Sequence, residues 1–342
     1  MSRSKLLQLH VLFQTKVLYL GQILSVVPFG ILAALSFTLT FGRVSRTSID
    51  LDAHCKEFPL YATPYPALNS FLNAAFCPLG GFFADLFKLP EGLKFSIYVS
   101  SISLPVLLLP VFEAYRTGQS KLLKYPFLWF QICQWWTMGA IFPLYWMTFV
   151  LSGGPKLYRT RSAKSYTQAE AEALVFGFIA GAVIPTIALL KIYDSVVLAI
   201  WMLYPIIMSV AESAHLHFRP PFRYPESGIV TLRVLFFACF ILASSVHIAM
   251  VWPLFKDLDQ LKEILIPAKV PIPVSADAAL HYLDFLKFDL YFAHASTVLA
   301  TFWFAENIKQ IFTITLWYIF SIPLLGFGAA LTGFAIWRND LL

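Results

Sequence analysis

Few residues in this chain can do chemistry, and most of them lie in or beside long apolar stretches. The ionisable ones there are Glu113, Lys191, Asp194, Glu212, Arg233, His247, Lys287, Asp289, His294 and Glu306. A charge inside hydrocarbon is costly, so each is a functional candidate until a bland role explains it. Lys191, Asp194, Glu212 and Glu306 lie near stretch ends, where they can reach head groups. Asp289 is different, because it stands about one turn into the block beginning at Phe285, surrounded by aromatic residues. A carboxyl stripped of water can keep its proton near neutral pH and donate it. The structural alternative is an ion pair with Lys287 or Arg233. Glu113 has Arg116 at i+3, a spacing that allows pairing on one helix face. Glu212 and His215 share that spacing, with His217 beyond, but one such pair is not a metal centre and no metal is expected.

The aromatic content suggests what such an acid would serve. There are 33 Phe, 15 Tyr and 9 Trp, and the clusters Trp129-Phe130, Trp135-Trp136, Tyr145-Trp146 and Phe302-Trp303-Phe304 sit well inside apolar blocks. Interfacial belts explain only part of this. Rings lining an apolar cavity stabilise a passing carbocation and offer no nucleophile to quench it. The candidate proton donors or their partners among these residues are therefore Asp289, Glu113 and Glu212. The candidate substrate contacts are Arg116, Trp136, Tyr145, Trp146, Tyr291, His294 and Trp303. The soluble terpene-synthase motifs DDxxD and DxDD are missing, as are a P-loop, a GxSxG elbow and paired Asp-rich loops. No cofactor is expected.

These residues must be positioned by helices in a membrane. Hydrophobic residues make up 58% of the 342 positions and charged ones 13%, and a soluble fold cannot hide that surplus. The apolar blocks have the length that crosses about 30 Å of hydrocarbon at 1.5 Å per residue. They run over Val17 to Phe41, Phe95 to Tyr115, Pro126 to Leu151, Ala173 to Leu190, Ser195 to Ala211, Ile229 to Phe255, Phe285 to Ala305 and Ile311 to Trp337. The expectation is an all-α polytopic transmembrane bundle of about eight helices, one integral-membrane domain over 1–342. The first loop, 42–94, holds a segment at 68–87 broken by Asn73, Pro78 and Gly80-Gly81, read as re-entrant or interfacial. A long polar loop covers 256–284. The net charge of +6 lies in short loops beside apolar helices, where it meets lipid head groups, so the bilayer is the expected partner and nucleic acid is not. Cys55 and Cys77 flank a polar loop and are free to pair only on an oxidising side.

The order of segments resembles fungal integral-membrane terpene cyclases of meroterpenoid pathways, the ascochlorin and macrophorin type with relatives in indole-diterpene clusters. The likeness rests on Cys55 and Pro59, the Leu68 to Phe83 element with Pro78, Glu113-Ala-Tyr-Arg116-Thr-Gly118, Gly139-Ala-Ile-Phe-Pro143-Leu-Tyr145-Trp146, and Phe285-Leu-Lys-Phe-Asp289. It implies a metal-free enzyme, in a membrane such as the endoplasmic reticulum. Such an enzyme folds a prenyl chain carried on an aromatic or quinol head group and protonates its terminal alkene or epoxide. Asp289 and Glu113 match the acidic positions of the pattern. Two departures stand out. Lys287 replaces an uncharged polar residue and would weaken Asp289 as an acid if its ammonium pointed inward. Gly80-Gly81 occupy a place where the family tends to have an acid, with Asp85 arriving slightly late. The rival expectations are an exporter of a hydrophobic metabolite, and a membrane oxidase using His215, His217, His247, His281 and His294.

Overall fold

A computed structural model describes residues 26–42, 55, 66–115, 119–154 and 166–340. Among these residues the regular structure is all helix, apart from one isolated bridge between Thr167 and Ser227. In chain order the helices are α1 (Val26–Phe41), α2 (Pro66–Lys88), α3 (Pro90–Ala114), α4 (Pro126–Trp136) and α5 (Met138–Leu151). They continue with α6 (Gln168–Ile192), α7 (Ser195–Met202), α8 (Tyr204–Phe218), α9 (Ile229–Val251), α10 (Leu258–Leu265), α11 (Ala278–Thr301) and α12 (Ile308–Asp340). Local signals set many of these starts. Proline opens α2, α3 and α4, where the missing N–H had no helical partner to lose. Thr167 and Glu170 form a capping box on α6, and Asp194, Asp257 and Asp277 cap α7, α10 and α11.

By length and composition four helices, α3, α6, α9 and α12, the last counted across a kink at Gly326, are long and apolar enough to cross a membrane, or five if α7 and α8, bent by 63°, form one broken span. The multi-pass helical architecture holds, but with fewer span-capable helices than the eight expected. One reason is a break at Thr137 inside the block from Pro126 to Leu151. Trp129 of α4 meets Tyr145 of α5 at 5.5 Å, and Phe130 meets Phe142 at 6.3 Å. Rings about eight residues to either side of a break touch only if the two arms fold back on each other. Arms of 11 and 14 residues rise about 16 and 21 Å, too short to span singly. A second reason is charge. Helix α11 has the length of a span but carries Asp284, Lys287 and Asp289 within two turns. For the first block, residues 17–25 lie outside those described.

Helix α12 also doubles back, at Gly326 (φ 84, ψ 164). The Trp317 indole donates to the Ala330 carbonyl (2.8 Å) across the corner. The reversal frees carbonyls, and side chains of α9 and of the turn that follows it satisfy two of them. His247 Nε2 donates to Pro323 O (3.1 Å), Trp252 to Leu324 O (2.9 Å), and the Tyr98 hydroxyl lies 2.9 Å from His247 Nδ1. A Cβ at Gly326 would stand 2.7 Å from His247 Nδ1. Gly326→Ala is therefore expected to destabilise the protein by more than about 1 kcal/mol. Thermal unfolding in detergent checks this, and an unchanged midpoint would remove the corner's importance.

The 68–87 segment is not broken as expected. It belongs to the continuous helix α2, which tolerates Pro78, and the Tyr193 hydroxyl donates to Gly80 O on its flank. Cys55 and Cys77 are joined by a disulfide.

Candidate functional site

A cavity of about 330 Å³ lies between α2, α3, α4, α11 and the bend joining α7 to α8. Its walls follow from helical periodicity. Phe285, Leu286, Asp289, Leu290 and Ala293 of α11 recur at the three- and four-residue spacing that puts side chains on one face. From α3 come Ser96, Val99, Ser103 and Leu107, and from α2 Phe82 and Phe83. Phe41, Trp135, Trp201 and Tyr204 add further rings. Asp289 is the one carboxyl among the lining residues, half-buried against this apolar wall.

The fold-back of α4 and α5 brings their tip to Asp289. The backbone amide of Gly139, in the first turn of α5, donates to Asp289 Oδ1 at 2.5 Å, and the Thr137 hydroxyl and Met138 amide face the same carboxyl. A Cβ at Gly139 would lie 2.7 Å from the Asp289 carbonyl oxygen, so only glycine lets the two helices approach this closely. Thr137 itself has φ 78 and ψ 152, and its side chain accepts from Ala140 N as the cap of α5. A β-branched residue there costs about 1–3 kcal/mol and persists only where its surroundings enforce it. Irregular backbone in a membrane bundle is tolerated where it lines a cavity, as Thr137 does.

The other acid candidates lie elsewhere. Glu113 is buried at the far end of α3 in an ion pair with Arg338 (2.9 Å), whose guanidinium stacks 3.5 Å above Phe304. Arg116, the partner expected from the i+3 spacing, lies outside the described residues. Glu212, also buried, accepts from the Tyr115 hydroxyl (2.8 Å). Burial, and after it the Glu212 carboxylate, push the Tyr115 phenol above its ordinary range. Asp85 pairs with Lys88 at 2.8 Å, and that bond raises the ammonium's pKa. None of the three lines the cavity.

Most expected substrate contacts are packing residues. Tyr145 and Trp146 are buried in the core, with the Trp146 indole donating to Thr297 Oγ1 (2.9 Å). Trp303 packs on Phe29, Tyr291 on Phe327, and Trp136 stands outside against Phe37 and Phe41. His294 is fully buried against the Leu290 carbonyl. The lining rings are instead Phe41, Phe82, Phe83, Trp135, Trp201, Tyr204 and Phe285. A signal for one of them was present, since Phe285 precedes Asp289 by four residues and shares its face. Thr137 gave none, because a threonine in an apolar run does not announce a break.

Lys287 does not weaken Asp289 from inside the cavity. Two residues away on a helix means roughly the opposite face, and its ammonium donates to the Glu263 carbonyl of α10 at 2.5 Å. Asp284 Oδ1 accepts from Ala268 N (2.6 Å), and His281 Nε2 lies 3.2 Å from Pro273 O. This face of α11 thus fastens the 256–284 loop while the opposite face serves the cavity. The histidines of the oxidase reading make separate contacts, and among the described residues no three His, Cys, Asp or Glu groups gather as ligands would.

The profile described as CtvD domain matches residues 79–326, most of the chain and every element of the cavity except Phe41 and Pro78. No curated relative and no solved structure matches.

Proposed function

This chain belongs to the CtvD domain family, a family associated with fungal gene clusters, and from that premise we propose that it is a membrane-embedded terpene cyclase. Its substrate is a prenylated aromatic or quinol precursor of a meroterpenoid, with a plain or epoxidised terminal alkene. The observation that carries the reading is the half-buried Asp289, the one carboxyl on the wall of a largely apolar, ring-lined hollow. The substrate enters from the bilayer and lies folded against Phe82, Trp135 and Phe285.

Asp289 is the acid. Its Oδ1 accepts from the Gly139 amide, so the proton sits on Oδ2. That proton passes to the terminal alkene carbon or the epoxide oxygen, and the next double bond supplies the electron pair that closes the first ring. As the carboxylate forms, the Gly139 amide and the positive end of α5 stabilise it without rearranging. The rings hold each successive cation. Exclusion of water lets the cascade end by loss of a proton, from carbon or from the head-group hydroxyl that captures the cation, back to the Asp289 carboxylate, so that the net change is an isomerisation with no atom gained or lost. The Cys55–Cys77 bond supports placement in an endomembrane with an oxidising lumen.

The test uses the purified full-length protein in lipid nanodiscs, incubated with plain and epoxidised farnesyl phenols and analysed for ring-closed products of unchanged mass. In parallel, a Cys239→Ser background leaves Cys133, which lines the cavity, as the free thiol. A substrate that occupies the hollow is expected to slow N-ethylmaleimide alkylation of Cys133. Ring-closed isomers together with protection support the cyclase; no isomer from any member of the panel ends that reading.

One observation favours a second reading. The folded-back pair α4–α5 and the reversal in α12 are discontinuous helices inside the bundle, a construction that transporters use at their binding sites. Protection of Cys133 without turnover, joined with movement of the probe across sealed vesicles, would support an exporter of a hydrophobic metabolite instead.

A further inference from the structure

We infer that Thr137, at the folded tip of α4 and α5, is a positioning residue for Asp289, an inference that rests on the cyclase reading for its purpose. Three observations meet at this tip. The backbone of Thr137 is held in the left-handed half of conformational space. Its side chain caps α5 through Ala140 N at 3.4 Å. Two residues on, the Gly139 amide reaches Asp289 Oδ1, with no room for a side chain between the helices.

These features have one geometric consequence. An uninterrupted helix from Pro126 to Leu151 would bond the amides of Met138 and Gly139 to carbonyls one turn earlier and leave nothing to meet Asp289. Turning the chain at Thr137 makes them the first free amides of α5 and directs them at the Asp289 carboxyl, that of Gly139 at Oδ1. The hydroxyl facing that carboxyl sets the angle at which the tip is held. Asp289 is thereby fixed by its Oδ1, and Oδ2 is the oxygen left to carry and deliver the proton. Thr137 does not touch the reacting carbon; it acts through the carboxyl.

The measurement that isolates this role is the infrared stretch of the Asp289 carboxyl in nanodisc-embedded full-length protein, assigned by its loss in Asp289→Asn. Thr137→Val keeps the shape at Cβ and removes the hydroxyl, and is expected to move that band and shift its titration midpoint by about one pH unit or more. Thr137→Ser, which restores the hydroxyl, is expected to return both to the parent values. If the valine variant does not accumulate, Thr137→Ala serves the same purpose. A band that stays put in the hydroxyl-less variants, or that moves equally in the serine variant, overturns the positioning role. The readout needs no substrate, so a band that responds as expected beside a silent farnesyl phenol panel would sink the cyclase reading alone.

Discussion

Asp289→Asn is expected to reduce cyclisation about 10²- to 10⁴-fold, the range usually carried by a positioned general acid, while leaving the protein as stable as its parent. The two halves of this expectation come from different parts of one side chain. Asparagine keeps an oxygen able to accept from the Gly139 amide (2.5 Å in the parent) and is a good partner for free amides at a helix start. The fold-back of α4 and α5 is therefore retained. What is lost is the transferable proton. If Asp289 were no more than a cap for α5, the amide would do its work and activity would survive. Initial rates on the responsive farnesyl phenol and thermal unfolding, measured on the same preparations, decide between these. Full activity in the variant would exclude Asp289 as the donor.

Glu113→Gln is expected to show the reverse pattern, a loss of about 3–5 kcal/mol of stability with the rate per folded molecule little changed. Glu113 and Arg338 are both buried, and their 2.9 Å pair lies at the end of α3, away from the cavity. Removing the carboxylate takes away a counter-charge 2.9 Å from a buried guanidinium. The Phe304 ring 3.5 Å beneath it offsets only a part. Replacing both partners by apolar residues, Glu113→Leu with Arg338→Met, is expected to recover most of the loss, because neither charge then remains to be desolvated. Denaturant unfolding of the single and double variants tests this. A single variant as stable as the parent but catalytically dead would instead return Glu113 to the chemistry.

Much of the architecture was legible in the residues. Apolar block length announced helices and a bilayer, and the start at Pro126 matched, while the helices beginning at Pro90 and Gln168 start about five residues before their apolar blocks. Asp289 stood out because a carboxyl among aromatics has no cheap explanation. The rings around it were less legible. Trp136 was a better guess by cluster than Trp135, yet adjacent helical residues point about 100° apart, and only Trp135 faces the cavity. Tyr145 and Trp146 looked like a cation-stabilising pair and prove to be core. Aromatic composition does not tell a lining ring from a packed one.

What the sequence determined by itself is what each stretch can bury: helices, a membrane setting, and a carboxyl placed where water is scarce. These are local properties, set by composition and by a period of 3.6 residues. The tertiary structure alone decided that two apolar blocks turn back, at Thr137 and Gly326, and that Glu113 answers to Arg338. The physical reason is distance along the chain. The fold-back at Thr137 is held where the Gly139 amide meets Asp289 and the corner at Gly326 where His247 meets Pro323, and the first of these contacts joins residues 150 positions apart. No pattern within one segment reports what a remote segment will hold in place.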